Sequence, residues 1–350
     1  MNIHEKYMRR CIELGKKGLG STAPNPMVGC VVVCGDSIIG EGFTSPYGGP
    51  HAEVNAIRSV KDEQLLKKSS LYVTLEPCSH FGKTPPCSDL VIASGIPKVF
   101  IGLKDPHSKV AGRGIQKLKE AGCEVTIGLL ERECRDHHKR FLTYQEKNRP
   151  YIILKWAQTQ DGFIAPTIEK RRKNPQPYWI TNSYSKQRVH QWRTEEQAIL
   201  VGTQTVLDDN PKLTARNWDG KSPIRIVLDR DLRIPTGFHV LDGSTQTIVL
   251  TAMAESKKHI SGIAYETIDF GQPLATQICT VLHKHQITSV IVEGGAQMLQ
   301  TFMDENLWDE ARIFTGPIEF GDGLQAPKIS GHPLKTESIL TDTLTLYRND

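Results

Sequence analysis

The stretch LYVTLEPCSHFGKTPPCSDLVIASGIPKVFIGL, Leu71 to Leu103, decides the fold of the first half of the chain. It opens on a β-rich apolar run that reads as a strand over 71–76 and closes on a second at 98–103. Between them a helical pattern over 87–94 begins at Cys87 and stops at Gly95, a residue suited to the left-handed turn that closes a helix. Strand, helix and strand in succession point to a layered α/β fold. Outward from this unit, a helix over 5–18, a strand over 28–34 and a helix over 51–60 precede it. A helix over 113–121 closed by Gly122, a strand over 124–129 and a charged helix over 131–146 follow it.

The polar run Gln145-Glu146-Lys147-Asn148-Arg149-Pro150 then ends in a proline, which disfavours helix before it. A chain of 350 residues exceeds the usual range of a single core. The boundary therefore falls here, giving domains 1–148 and 149–350. The second half repeats the α/β pattern, with strands over 151–157, 198–201, 224–228, 247–251 and 288–292 and helices over 183–192, 274–285 and 296–303. The like-charged run Glu169 to Pro175 reads as a solvated loop, and Thr205 to Pro211 as a polar loop after a buried strand.

Composition narrows the function classes. A net charge of +4 is weaker and less clustered than nucleic-acid binders show. No apolar run is long enough to cross a bilayer. The first eighteen residues mix charge with apolar positions at helical spacing and lack a signal peptide's apolar core, so the expectation is a cytoplasmic protein. Eight cysteines in a chain this long argue for thiols or metal ligands over a disulfide framework. Cys11, Cys30, Cys34, Cys123, Cys134 and Cys279 read as small core residues.

Cys78 and Cys87 are different. With His51, which follows the turn Gly48-Gly49-Pro50, they make one imidazole and two thiolates. Three protein ligands characterise a catalytic zinc, whose fourth position takes water, whereas a structural zinc takes four. Such a site makes hydroxide available at neutral pH, and Glu53 beside it can move protons from water to a leaving amine. This is the H-x-E and P-C…C logic of zinc nucleobase deaminases. Residues two apart converge only at the looser start of a helix, and Pro50 suits such a start. A structural site completed by His80 is the rival reading; it leaves Glu53 without a role.

These residues resemble the bifunctional deaminase–reductase family of bacterial riboflavin biosynthesis along essentially the whole chain. The first half carries Ala23 to Gly29, His51-Ala52-Glu53-Val54, Thr74 to His80 through Cys87, Asp105-Pro106 and Val110 to Gly114. The second carries Leu154-Lys155, Asp161-Gly162, Trp179-Ile180-Thr181, Ile199 to Gly202, Thr205 to Thr214 and Val292 to Gly295. The resemblance implies a cytidine-deaminase-like three-layer α/β/α domain followed by a dihydrofolate-reductase-like α/β domain, with zinc and NADPH as cofactors. It implies deamination of 2,5-diamino-6-ribosylamino-4(3H)-pyrimidinone 5′-phosphate, then reduction of the ribosyl to the ribityl side chain.

By the same resemblance, Ala157, Trp179, Thr205, Asp209, Gly294 and Gly295 line the cofactor site. Asn25 and Lys83 face substrate in the first domain, and Arg193, Leu213, Arg216 and Glu293 in the second. A glycine pair opening a helix does suit close approach of a phosphate, and guanidinium groups suit a phosphorylated substrate. Trp179 also reads as a core residue and the two arginines as surface ones. The chain departs from the family at Thr44, where histidine is common, and in the long basic stretch from Ala165 to Tyr178. A phosphorylated pyrimidine is the expected partner, with no nucleic acid and no membrane, and self-association is left open. The alternatives are a tRNA-type base deaminase and a deaminase whose second domain only binds a nucleotide.

Overall fold

The computed structural model describes residues 2–81, 85–106, 111–173, 178–253 and 261–349. The chain divides into two compact units, Met1–Asn148 and Arg149–Asp350. The first runs α1 (Ile3–Lys16), β1 (Gly29–Cys34), β2 (Ser37–Phe43), α2 (Ala52–Arg58), β3 (Ser69–Val73), α3 (Cys87–Ala93), β4 (Lys98–Ile101), α4 (Arg113–Glu120), β5 (Glu124–Ile127), α5 (Glu131–His137) and α6 (Lys139–Lys147). Its sheet has the order β2-β1-β3-β4-β5. β1 is antiparallel to both neighbours, and β3, β4 and β5 are parallel.

Helices meet this sheet at backbone range where glycines allow it. A side chain at Gly29 would overlap the Cys11 carbonyl of α1, and one at Gly40 or Gly42 would overlap the Ala56 backbone of α2. Those two glycines interrupt the apolar alternation of β2, which is why the sequence pattern does not announce that strand. Gly95 and Gly122 take the expected left-handed conformation, at φ 68° and 88°. The single helix expected over 131–146 is two, α5 and α6, broken at His138. That buried ring bonds Thr74 Oγ1 at 3.0 Å, a tertiary contact that overrides the local pattern.

The second unit runs β6 (Tyr151–Gln158), β7 (Phe163–Pro166), α7 (Ile168–Lys173), α8 (Ser183–Glu195), β8 (Ala198–Gly202), α9 (Thr203–Asp209), β9 (Ile224–Leu228), β10 (Thr247–Thr251), β11 (Ile263–Thr267), α10 (Leu274–Lys284), β12 (Ser289–Val292), α11 (Ala296–Asp304), β13 (Glu310–Thr315), β14 (Gly323–Gln325), β15 (Lys335–Ile339) and β16 (Asp342–Arg348). A sheet of order β11-β10-β9-β8-β12-β6-β13-β16-β15 carries the unit, and β7 and β14 form a separate ribbon. Every pairing from β11 through β13 is parallel, and β16 and β15 extend the sheet antiparallel. Ile152, Leu154 and Trp156 alternate into one core while Lys155 and Ala157 face the other way along β6.

Two expectations are corrected here. The charged run from Glu169 is not a loop but lies largely in α7, which has no buried residue and is tied down by Arg171 to Asp208 at 2.7 Å. Its Glu, Lys and Arg residues are good helix formers. The segment from Thr205 is likewise not a loop: Thr203–Asp209 forms α9, ended by Asn210 in the left-handed conformation.

Candidate active sites

His51 occupies the N-cap of α2, with φ −74° and ψ 166°, and Glu53 lies in the first turn. The helix start thus provides the looser geometry that lets residues two apart serve one site. Cys87 is the first residue of α3, and its backbone N–H donates to Cys78 Sγ at 3.3 Å. The His51 Nδ1 lies 3.7 Å from Cys78 Sγ and 3.3 Å from Cys87 Sγ. The ligand atoms of His51, Cys78 and Cys87 all fall within 4.8 Å of one another. A soft, one-nitrogen, two-sulfur set at this spacing fits zinc. His80 is exposed and stands outside that group.

The electrostatics follow from crowding. Hydrogen bonding from Cys87 holds the Cys78 thiol well below the ordinary thiol range against the cost of burial, with His51 assisting. Cys87 is driven up, first by Cys78 and then by burial. A bound cation would deprotonate both thiols. Glu53 is buried; burial, then the Cys78 charge, pushes its carboxyl up to about 7.

Asn25 is half-buried and its N–H bonds the Thr22 carbonyl. Lys83 lies outside the described residues. Thr44 is buried, and its hydroxyl accepts from Val28 N–H at 3.1 Å, so it braces the end of β1. Missed by sequence reasoning is Glu76, whose buried carboxylate accepts backbone N–H bonds from Asp105, Gly112, Gly114 and Ile115. Its signal was an acidic residue ending an apolar strand.

In the second unit, Arg193 of α8 meets Glu293, which follows β12, at 2.8 Å, and Lys155 of β6 lies 3.8 Å from the same carboxylate. Burial lowers the Lys155 ammonium, with Glu293 opposing it. Burial would raise the Glu293 carboxyl, yet Arg193 and Lys155 together hold it at about 2. His190 is driven down to about 4 by burial and then by Arg193 and Arg216. Arg193 Nη1 also donates to the Thr214 carbonyl, joining this cluster to the segment that holds buried Leu213 and exposed Arg216. Arg193 is therefore half-buried in an ion pair rather than a free surface residue. Lys155 was visible as a lone charge inside Tyr-Ile-Ile-Leu-Lys-Trp-Ala.

The glycine turn follows the carboxyl end of β12, where open α/β sheets bind ligands, and Gly295 caps α11. The Gly295 N–H donates to Thr205 Oγ1 at 3.0 Å, joining the turn to α9. A side chain at Gly294 would press on Met298, so the turn stays bare, as phosphate approach requires. Asp209 is exposed at the far end of α9. Ala157 packs beside Trp192 and Phe314. Trp179 is not core: it is 62% exposed, with Lys186 Nζ 3.5 Å above its ring.

Two family models match the chain: the cytidine and deoxycytidylate deaminase zinc-binding region over residues 1–103, and the RibD C-terminal domain over residues 150–347. A riboflavin biosynthesis protein RibD from Bacillus amyloliquefaciens is 40% identical, covering 94% of this chain and 88% of the relative. The Escherichia coli K12 protein of the same name is 34% identical, covering 91% and 88%. Among solved structures, a Thermotoga maritima diaminohydroxyphosphoribosylaminopyrimidine deaminase/5-amino-6-(5-phosphoribosylamino)uracil reductase is similar at TM-score 0.88 and 38% identity, covering 99% of each chain. Acinetobacter baumannii RibD is similar at TM-score 0.88 and 33% identity, with the same coverage.

Proposed function

Because the chain belongs to the RibD family, the bifunctional deaminase–reductases of riboflavin biosynthesis, we propose that residues 1–148 carry out its deamination and residues 149–350 its reduction. The enzyme uses zinc in the first reaction and NADPH in the second. The observation that carries the division of labour is the His51, Cys78 and Cys87 cluster, set within one unit while the glycine turn lies in the other.

In the deaminase half, His51, Cys78 and Cys87 hold zinc, which when bound activates water. Glu53 would accept a proton from the water and pass it to the pyrimidine ring nitrogen, then accept a second from the hydroxyl added at the ring carbon and pass that one to the departing amine. The substrate is 2,5-diamino-6-ribosylamino-4(3H)-pyrimidinone 5′-phosphate, and its 2-amino group leaves as ammonia. Asn25 and Lys83 orient it.

In the reductase half, NADPH when bound would supply the hydride for the sugar carbon that becomes the end of the ribityl chain. Gly294 and Gly295 would hold its phosphates at the start of α11, and Ala157, Trp179, Thr205 and Asp209 would complete the cofactor site. Arg216 and the Leu213 segment meet the substrate phosphate and sugar, while Glu293 holds Arg193 in place. Lys155 supplies the proton that balances the hydride as the sugar oxygen is released. The acceptor is a small phosphorylated pyrimidine, and the protein works in the cytoplasm; no helix among the described residues is long and apolar enough to cross a membrane.

The test is incubation of purified protein with the diamino substrate, with and without NADPH, and product identification by mass. Deaminated product alone without NADPH, and ribityl product with it, is the expected result. NADPH that goes unoxidised in the presence of deaminated substrate would favour a second domain that only binds nucleotide.

A further inference from the structure

The two thiols of the candidate zinc centre lie nine residues apart in sequence, joined directly by the bonds from Cys87 N–H to Cys78 Sγ and from Ser88 N–H to the Cys78 carbonyl. α4 contributes no ligand, yet it reaches both segments that do. On one side stands Glu76, two residues before Cys78 and 4% exposed. Its Oε1 accepts from Gly114 N–H at 3.0 Å and Ile115 N–H at 3.2 Å; its Oε2 accepts from Gly112 at 3.0 Å and Asp105 at 3.2 Å. Gly114 and Ile115 belong to the first turn of α4, whose N–H groups have no partner within the helix. A side chain at Gly114 would overlap the Pro77 carbonyl, so the segment leading to Cys78 lies directly on α4. On the other side, Lys117 of α4 pairs with Asp89 of α3, the helix that begins at Cys87.

We propose that Glu76 is a positioning residue of the zinc centre: it locks α4 against the segment that carries Cys78, and α4, tied to α3, keeps Cys78 and Cys87 at ligand spacing. The assignment rests on the zinc reading given above. Only a carboxylate suits the position. Four N–H donors converge on two acceptor oxygens, whereas a glutamine would offer one oxygen and turn its own NH2 group toward donors. Groups that orient metal ligands from behind set metal affinity, and losing one costs about 10- to 100-fold.

The experiment measures zinc affinity of the full chain by chelator competition, with the visible spectrum of the cobalt-substituted protein as a geometric readout. Glu76→Gln should weaken zinc binding about 10- to 100-fold and alter the cobalt–thiolate bands, while NADPH oxidation by the same sample is retained. Wild-type zinc affinity and an unchanged cobalt spectrum in Glu76→Gln overturn the proposal. Should that variant not fold, amide exchange in the wild-type protein decides. The Gly112, Gly114 and Ile115 amides slow on zinc loading if Glu76 links them to the centre, and unchanged exchange overturns the link. A wild-type chain that takes up no zinc overturns the zinc reading itself, a failure distinct from zinc uptake that is indifferent to Glu76.

Discussion

The Arg193 guanidinium and the Glu293 carboxylate meet through two hydrogen bonds, at 2.8 and 3.4 Å, with each side chain nearly withdrawn from solvent. The Lys155 ammonium stands close to the same carboxylate. Two cations are therefore balanced by one anion, and the anion is the member whose loss leaves most charge uncompensated.

Glu293→Gln should consequently lose about 3–5 kcal/mol of stability, the usual cost of breaking a buried pair from one side, and should abolish NADPH oxidation. Denaturant unfolding and a reductase assay check the two effects. A variant as stable and as active as wild type would remove Glu293 from the site.

The same carboxylate sets an acid limit. Its folded value of about 2 lies below its ordinary value of 4.5, so its stabilising contribution is present above the ordinary value and is lost as pH falls toward about 2. The wild-type urea midpoint should drop between pH 5 and pH 3 more steeply than that of Glu293→Gln. Parallel profiles would show that Glu293 does not carry this dependence.

Glu53→Gln preserves size and removes the proton carrier. Zinc content should remain stoichiometric, deamination should fall by about 10²- to 10⁴-fold, and reduction should continue. Near-normal deamination in this variant would rule out Glu53 as the general acid and base.

Cys78→Ala and Cys87→Ala each leave two protein ligands where a catalytic zinc takes three. Both purified variants should contain far less than one zinc per chain by elemental analysis. Full retention in both would redirect attention to His80.

Asp209→Ala tests the reductase assignment at an exposed position whose removal should cost at most about 0.5 kcal/mol. Reduction should fall at least tenfold through a raised KM for NADPH, with deamination unchanged. A normal KM would leave Asp209 as a surface residue at the end of α9.

Legibility in the sequence followed the range of the interactions. β1, β9 and β10 declared themselves through runs rich in apolar and β-branched residues, α1 through its helical spacing, and α3 and α4 through the glycines that follow them. The strands β13, β15 and β16 did not, because what makes them strands is pairing with partners far along the chain. His51, Glu53, Cys78 and Cys87 stood out because few residue types do their chemistry. Lys155 stood in the quoted motif Leu154-Lys155, but its partners Glu293 and Arg193 are distant in sequence, so its part in a buried charge cluster was invisible. Glu76 was hidden for a related reason: its partners are backbone N–H groups, which have no sequence signature.

The bare positions Gly40 and Gly42 have a consequence for how this scaffold tolerates change. Because α2 rests on them at backbone contact, the depth at which His51 and Glu53 sit is fixed by the strand beneath the helix. A methyl group at either position would lift the whole helix and move both side chains together, away from Cys78 and Cys87. Redesign of substrate preference therefore has freedom in the loops around the pyrimidine and none at these two positions. A library that randomises β2 would discard active clones at Gly40 and Gly42 however well the pocket itself was drawn.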